Sequence, residues 1–213
     1  MKPYSFIISI LLVTALACST TNLAENLVPS GGVLYQDFFS DPQSGWGELS
    51  QDPGSSGYIN GAYHFLVNQS NTNIWSHPGK LFTDTHIEVS TMPVSGPFEN
   101  QMGIICRLVN DQNFYFFTIS SDGFFGIGKM INGKANLISN TEMQKQNAIL
   151  TGNQINILRA DCIGNTLTMY INNVLVSSVK DSEFSSGDVG ILAGTSEKTG
   201  ADIYFDNFMV FKP

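Results

Sequence analysis

This chain of 213 residues has little charge, few cysteines and no apolar run long enough to span a bilayer comfortably. Only 13% of its residues are charged, and Asp plus Glu (18) outnumber Lys plus Arg (10). An acidic field repels phosphate backbones, so nucleic acid is set aside as a partner. The histidines, His64, His77 and His86, fall at irregular separations with no cysteine cluster beside them, which gives no zinc-type ligand spacing and assigns them structural or surface roles. No serine sits in a nucleophile elbow. Gly126-Ile127-Gly128 reads as mid-strand, not as a strand-to-helix turn, so there is no phosphate cradle. No long amphipathic helix is present; helical spacing shows only weakly around Glu142 to Leu150, which suits a loop equally well. Nor is there an internal repeat of the kind that builds propellers.

What is present begins with an export pattern. Lys2, an apolar run from Phe6 to Leu16 and small residues at Ala15 and Ala17 precede Cys18, the layout of a secretory signal peptide over residues 1–17. Cys18 followed by Ser19-Thr20-Thr21-Asn22 resembles the lipobox of bacterial lipoproteins, although the leucine lies two residues before the cysteine where the usual pattern places it three before. The expectation is a lipid-anchored envelope protein touching the membrane only through Cys18, the alternative being a plainly secreted one. Residues 18–34, rich in small and turn-forming types and ending near Pro29-Ser30-Gly31-Gly32, read as a tether, and 35–213 as one folded domain. An exported chain meets an oxidising compartment, so Cys106 and Cys162 are expected to pair as a disulfide, two buried free thiols being the alternative.

The folded part reads as strands throughout. From Gly103 to Lys129, alternating runs are broken at Asn110-Asp111 and Ser121-Asp122-Gly123; further turn signals come at Asn60-Gly61, Pro78-Gly79, Asn132-Gly133, Gly164-Asn165 and Asn172-Asn173. In 166–171, Leu167, Met169 and Ile171 share one face and Thr166, Thr168 and Tyr170 the other. So many short antiparallel strands predict an all-β jelly-roll sandwich of two stacked sheets.

A set of motifs then stands out: Phe38-Phe39-Ser40-Asp41-Pro42, Ser44-Gly45-Trp46, Cys106-Arg107, Asn113-Phe114-Tyr115, Ser121-Asp122-Gly123, Ser186-Gly187-Asp188-Val189-Gly190 and Phe205-Asp206-Asn207-Phe208. Together they resemble the concanavalin A-like lectin/glucanase superfamily, and within it the 3-keto-disaccharide hydrolase-type domain of bacterial exported lipoproteins, over Tyr35 to Pro213. The resemblance implies a twisted sandwich whose concave sheet forms a glycan-binding groove, and many such domains bind without cleaving.

Glucanases of this shape supply paired carboxylates from one strand as Glu-x-Asp-x-x-Glu, and this chain has no such run. Glu88, Glu99, Glu142, Glu183 and Glu197 read as solvated carboxylates, and no catalytic residue is assigned. Sugar recognition needs exposed aromatics beside polar groups, which points to Trp46, Tyr63, Trp75, Arg107, Tyr115 and Lys129; Arg107 is expected to face away from Ile104, Cys106 and Leu108. No cofactor is required, but a structural calcium joining the first and last strands through Asp37 or Asp41 and Asp206 is the one metal considered, against Asp206-Asn207 forming a β-bulge. The expected function is non-catalytic carbohydrate binding; the alternatives are a glycoside or 3-keto-disaccharide hydrolase and an envelope protein adhesion module.

Overall fold

The structure, a computed structural model, describes residues 27–213. Cys18 and the signal segment lie outside the described residues. Sixteen strands follow in order: β1 (Val33–Asp37), β2 (Leu49–Gln51), β3 (Gly54–Ile59), β4 (Ala62–Val67), β5 (Asn73–Ser76), β6 (Thr85–Ser95), β7 (Asn100–Asn110) and β8 (Asn113–Ile119), then β9 (Phe124–Ile131), β10 (Lys134–Leu137), β11 (Gln144–Lys145), β12 (Asn156–Ile163), β13 (Thr166–Ile171), β14 (Val174–Lys180), β15 (Asp188–Thr195) and β16 (Ala201–Phe211). They make two antiparallel sheets. A nine-stranded sheet runs β14-β13-β12-β6-β16-β4-β3-β2 with β1 on β16, and a seven-stranded sheet runs β10-β9-β8-β7-β15-β5 with β11 on β9. The expected jelly-roll β-sandwich is what forms.

Turn chemistry explains the hairpins. Asn60 and Gly61, Asn132 and Gly133, and Asn172 and Asn173 all hold positive φ, the left-handed conformation that tight hairpins demand and that Asn and Gly tolerate. The segment 142–150 forms the short β11 and a loop. The fold begins slightly earlier than Tyr35: β1 starts at Val33, and Gly31 N–H and Lys212 N–H exchange bonds with Lys212 O and Gly32 O, fastening the end of the expected tether to the last strand.

Alternation builds the core. Leu167, Met169 and Ile171 of β13 meet Ile104, Cys106, Tyr115 and Phe117 of the other sheet in one large apolar cluster between the layers. The Cys106–Cys162 disulfide crosses that interface from β7 to β12. A smaller cluster, Ile105, Phe114, Phe116, Met130 and Leu192 with Trp75 and Leu137 packed against it, covers the opposite face of the seven-stranded sheet.

In β7 the alternation inverts. Arg107 has φ 51°, the pairing with β8 shifts between Cys106 and Asn110, and Leu108 therefore joins Ile105 in the smaller cluster. The arginine is 2% exposed.

Candidate functional site

A cleft of about 640 Å³ lies beside β5 and is walled by Gly47, Glu48, Asn73, Trp75, His77 and Asp111, among others. Its volume is typical of small-ligand sites. Each wall has an identifiable support.

Trp75 comes from β5, where alternation sends Ile74 and Ser76 inward and leaves Trp75 half-buried against Phe114, ring centroids 5.3 Å apart. His77 follows directly after β5. Pairing of Ser76 with Ile191 brings it beside Gly190, where a Cβ would lie 2.6 Å from Ser76 O and 3.3 Å from His77 Cβ, so only glycine lets the strands close here. Asp188 then reaches His77: Nδ1 lies 2.7 Å from Asp188 Oδ2, and because a carboxylate only accepts, Nδ1 carries the proton. The same carboxylate takes the backbone N–H groups of Gly79 (2.7 Å), Lys80 (2.9 Å) and Val189 (2.8 Å), which pins the loop after His77.

The hydrogen bond to Asp188 raises the His77 pKa above its ordinary value, against the lowering effect of burial, with further help from the charges of Asp188 and Asp111. Nε2 faces the cleft, 3.8 Å from Asp111 Oδ1. Asp111 sits on the β7–β8 turn, which Asn110 fixes by accepting from Gln112 N–H and the Asn113 amide; it also accepts from Trp75 Nε1 at 3.3 Å. Exposed Glu48 also lines the cleft. An aromatic ring, a proton-bearing imidazole and two carboxylates thus share one opening.

Of the six residues expected from the sequence to bind sugar, only Trp75 lines this cleft. Trp46 and Tyr63 are buried behind it rather than displayed, because their rings complete the aromatic core around Phe39 and Phe208. They support the wall: Trp46 Nε1 donates to Asp37 (2.9 Å), and Tyr63 OH donates to Gly47 O, which also accepts from Ser76 Oγ. Arg107, Tyr115 and Lys129 converge elsewhere, on 181–184. Arg107 donates to Phe184 O (2.9 Å), Asp84 (3.1 Å), Cys162 O (3.3 Å) and Thr83 O (3.4 Å). Tyr115 OH donates to Asp181 (2.6 Å) and accepts from Phe184 N–H, while Lys129 Nζ meets Asp181 at 2.7 Å and Glu183 at 3.5 Å. Burial, then Asp181, push the Tyr115 phenol up to about 12. Burial alone would raise Asp181, but Lys129 and Tyr115 hold it below the usual carboxylate range. This is a loop anchor built around a satisfied ion pair, and Arg107, expected on the face away from Cys106 as a glycan-binding side chain, is turned inward by the bulge and donates to protein oxygens.

The aspartates considered for calcium do not form a ligand set. Asp37 spends its oxygens on Phe39 N–H, the Trp46 indole and Tyr35 OH, and Asp41 accepts from Gln43 N–H. Asp206 accepts from Asn207 N–H at 2.6 Å inside a bulge where Asn207 has φ 56° and the pairing with β6 slips. Among the described residues no group of three or more His, Cys, Asp or Glu side chains is arranged to hold a metal ion.

No family profile and no curated protein matches the sequence. Solved structures do match the fold. The carbohydrate binding module CBM66 from Bacillus subtilis superposes with a TM-score of 0.66 at 19% identity, over 79% of this chain and 96% of that one. A Bacillus subtilis protein of unknown function with a galectin-like fold gives 0.61 at 10% identity, over 86% and 97%. A glycoside hydrolase family 16 endo-glucanase from Bacteroides ovatus gives 0.60 at 13% identity, over 84% and 100%. The chain has the concanavalin A-like jelly-roll fold that such binding modules and hydrolases have in common.

Proposed function

We propose that this protein is a carbohydrate-binding domain of an exported lipoprotein, anchored through Cys18, that holds glycan in the cleft beside β5 without cleaving it. The observation that carries the reading is the composition of that cleft: the Trp75 ring offers an apolar face for sugar C–H groups, and His77, Asp111 and Glu48 offer hydrogen-bonding partners for hydroxyls. Structural neighbours that include a carbohydrate binding module support it. The test is a glycan-array screen of the purified chain. Saturable binding to one glycan class supports the reading, and silence across the array overturns it in favour of a protein partner.

A second reading, a glycoside hydrolase of the 3-keto-disaccharide type or another, draws on one feature. His77 is oriented by Asp188 and faces Asp111 in the same opening, the arrangement general acid–base chemistry requires. Prolonged incubation of bound glycans separates the two: intact ligand supports binding alone, and product release that His77→Gln abolishes supports the enzyme.

A further inference from the structure

The cleft does not end at His77. A second hollow of about 350 Å³ opens on its other side, lined by Lys80, Leu81, Leu108 and Val109, and it shares His77, Gly79 and Asp111 with the first. His77 and Asp111 therefore form a low bar, 3.8 Å across at Nε2 to Oδ1, with a chamber on either side. Each chamber falls in the roughly 300–1,000 Å³ range of ligand sites.

The chambers differ in chemistry. The first carries the carboxylates of Glu48 and Asp111 and the Trp75 ring. The second is floored by Asp188, whose oxygens are occupied by His77 and the backbone N–H groups of Gly79, Lys80 and Val189, so it holds the wall rather than a ligand. Its accessible surface is mixed: the aliphatic side chains of Leu81 (49% exposed) and Val109 (57% exposed) stand beside exposed Lys80 and Asn110. Paired exposed aliphatic side chains next to a polar bar suit the C–H face of another sugar unit.

Resting on the carbohydrate-binding reading, we infer that the site is an extended groove for an oligosaccharide, with units on both sides of the His77–Asp111 bar, rather than a pocket for a single sugar or a chain end. Leu81 and Val109 are then chain-length determinants.

The experiment uses an array carrying each glycan class as a disaccharide and a hexasaccharide, probed with the wild-type chain and with the double variant Leu81→Ser/Val109→Ser. The expected result is at least tenfold tighter binding of the hexasaccharide by the wild type, with that advantage falling to near parity in the variant. Equal wild-type affinity for both lengths overturns the groove and leaves the binding reading standing. A length advantage that survives the double substitution overturns Leu81 and Val109 as the chain-length determinants and the second hollow as the place of the added units. Absence of binding to every saccharide overturns both the groove and the binding reading. Circular dichroism and the melting temperature of the variant check that it is folded; if it is not, Val109→Thr alone, on an exposed turn-proximal position, is read by the same ratio.

Discussion

Arg107 shows how much one backbone angle decides. An arginine in the middle of a strand normally reaches water or a partner on its own face, but the positive φ here carries it under β12, where its fork donates to the backbone carbonyls of Phe184, Cys162 and Thr83 and to the Asp84 carboxylate. Lysine is a single point donor and does not reproduce that fork. Arg107→Lys is expected to cost about 2 kcal/mol and Arg107→Ala about 3 kcal/mol, read as a fall in denaturant midpoint at unchanged slope. His77 makes a different prediction. Its folded pKa is raised above the ordinary 6.5, so the stability it contributes is fully present below about pH 6.5 and fades as pH rises through the higher folded value. The melting temperature should decline from neutral toward alkaline pH, and His77→Gln should flatten that decline; an unchanged slope in the variant would assign it to other groups.

Among the elements, those set by local chemistry were legible and those set by distant pairing were not. Asn-Gly and Asn-Asn turns announce their positive φ in the sequence, and the period-two pattern of β13 identifies its buried face without help. The inversion in β7 leaves no such mark, since Cys106-Arg107-Leu108 alternates as regularly as any strand. Of the four aromatic residues chosen for a binding surface, Trp75 lines the cleft and Trp46, Tyr63 and Tyr115 are core, because a large ring has the same local signature in a core and on a rim. His77 and Asp188 were passed over because they lie 111 residues apart and meet only when β5 pairs with β15. The turn at Pro78-Gly79 and the Asp188-Val189-Gly190 motif were both visible, but nothing local joins them. At this scale the bulge at Asn207 divides β16 into a half paired with β4 and a half paired with β1, which joins the first and last strands through backbone pairing. Chelation with EDTA is expected to leave the melting temperature unchanged, and a drop of several degrees would restore a cation to the account.

The described residues form two sheets clamped by neighbouring residues, Cys106 through its disulfide to Cys162 and Arg107 through its bond to the Cys162 carbonyl. The disulfide closes 56 residues of chain and contributes about 4 kcal/mol on the chain-entropy scale. Reduction should therefore lower the melting temperature markedly, and the Cys106→Ala/Cys162→Ala chain should match the reduced protein. Around that clamp the fold leaves the cleft beside β5, and the account turns on whether that cleft holds sugar. The most direct test is to probe the same glycan array with the wild-type chain and Trp75→Ala side by side. Saturable wild-type binding that weakens about tenfold, or about 1.4 kcal/mol, in the variant is the predicted result; wild-type binding that Trp75→Ala leaves unchanged would contradict it.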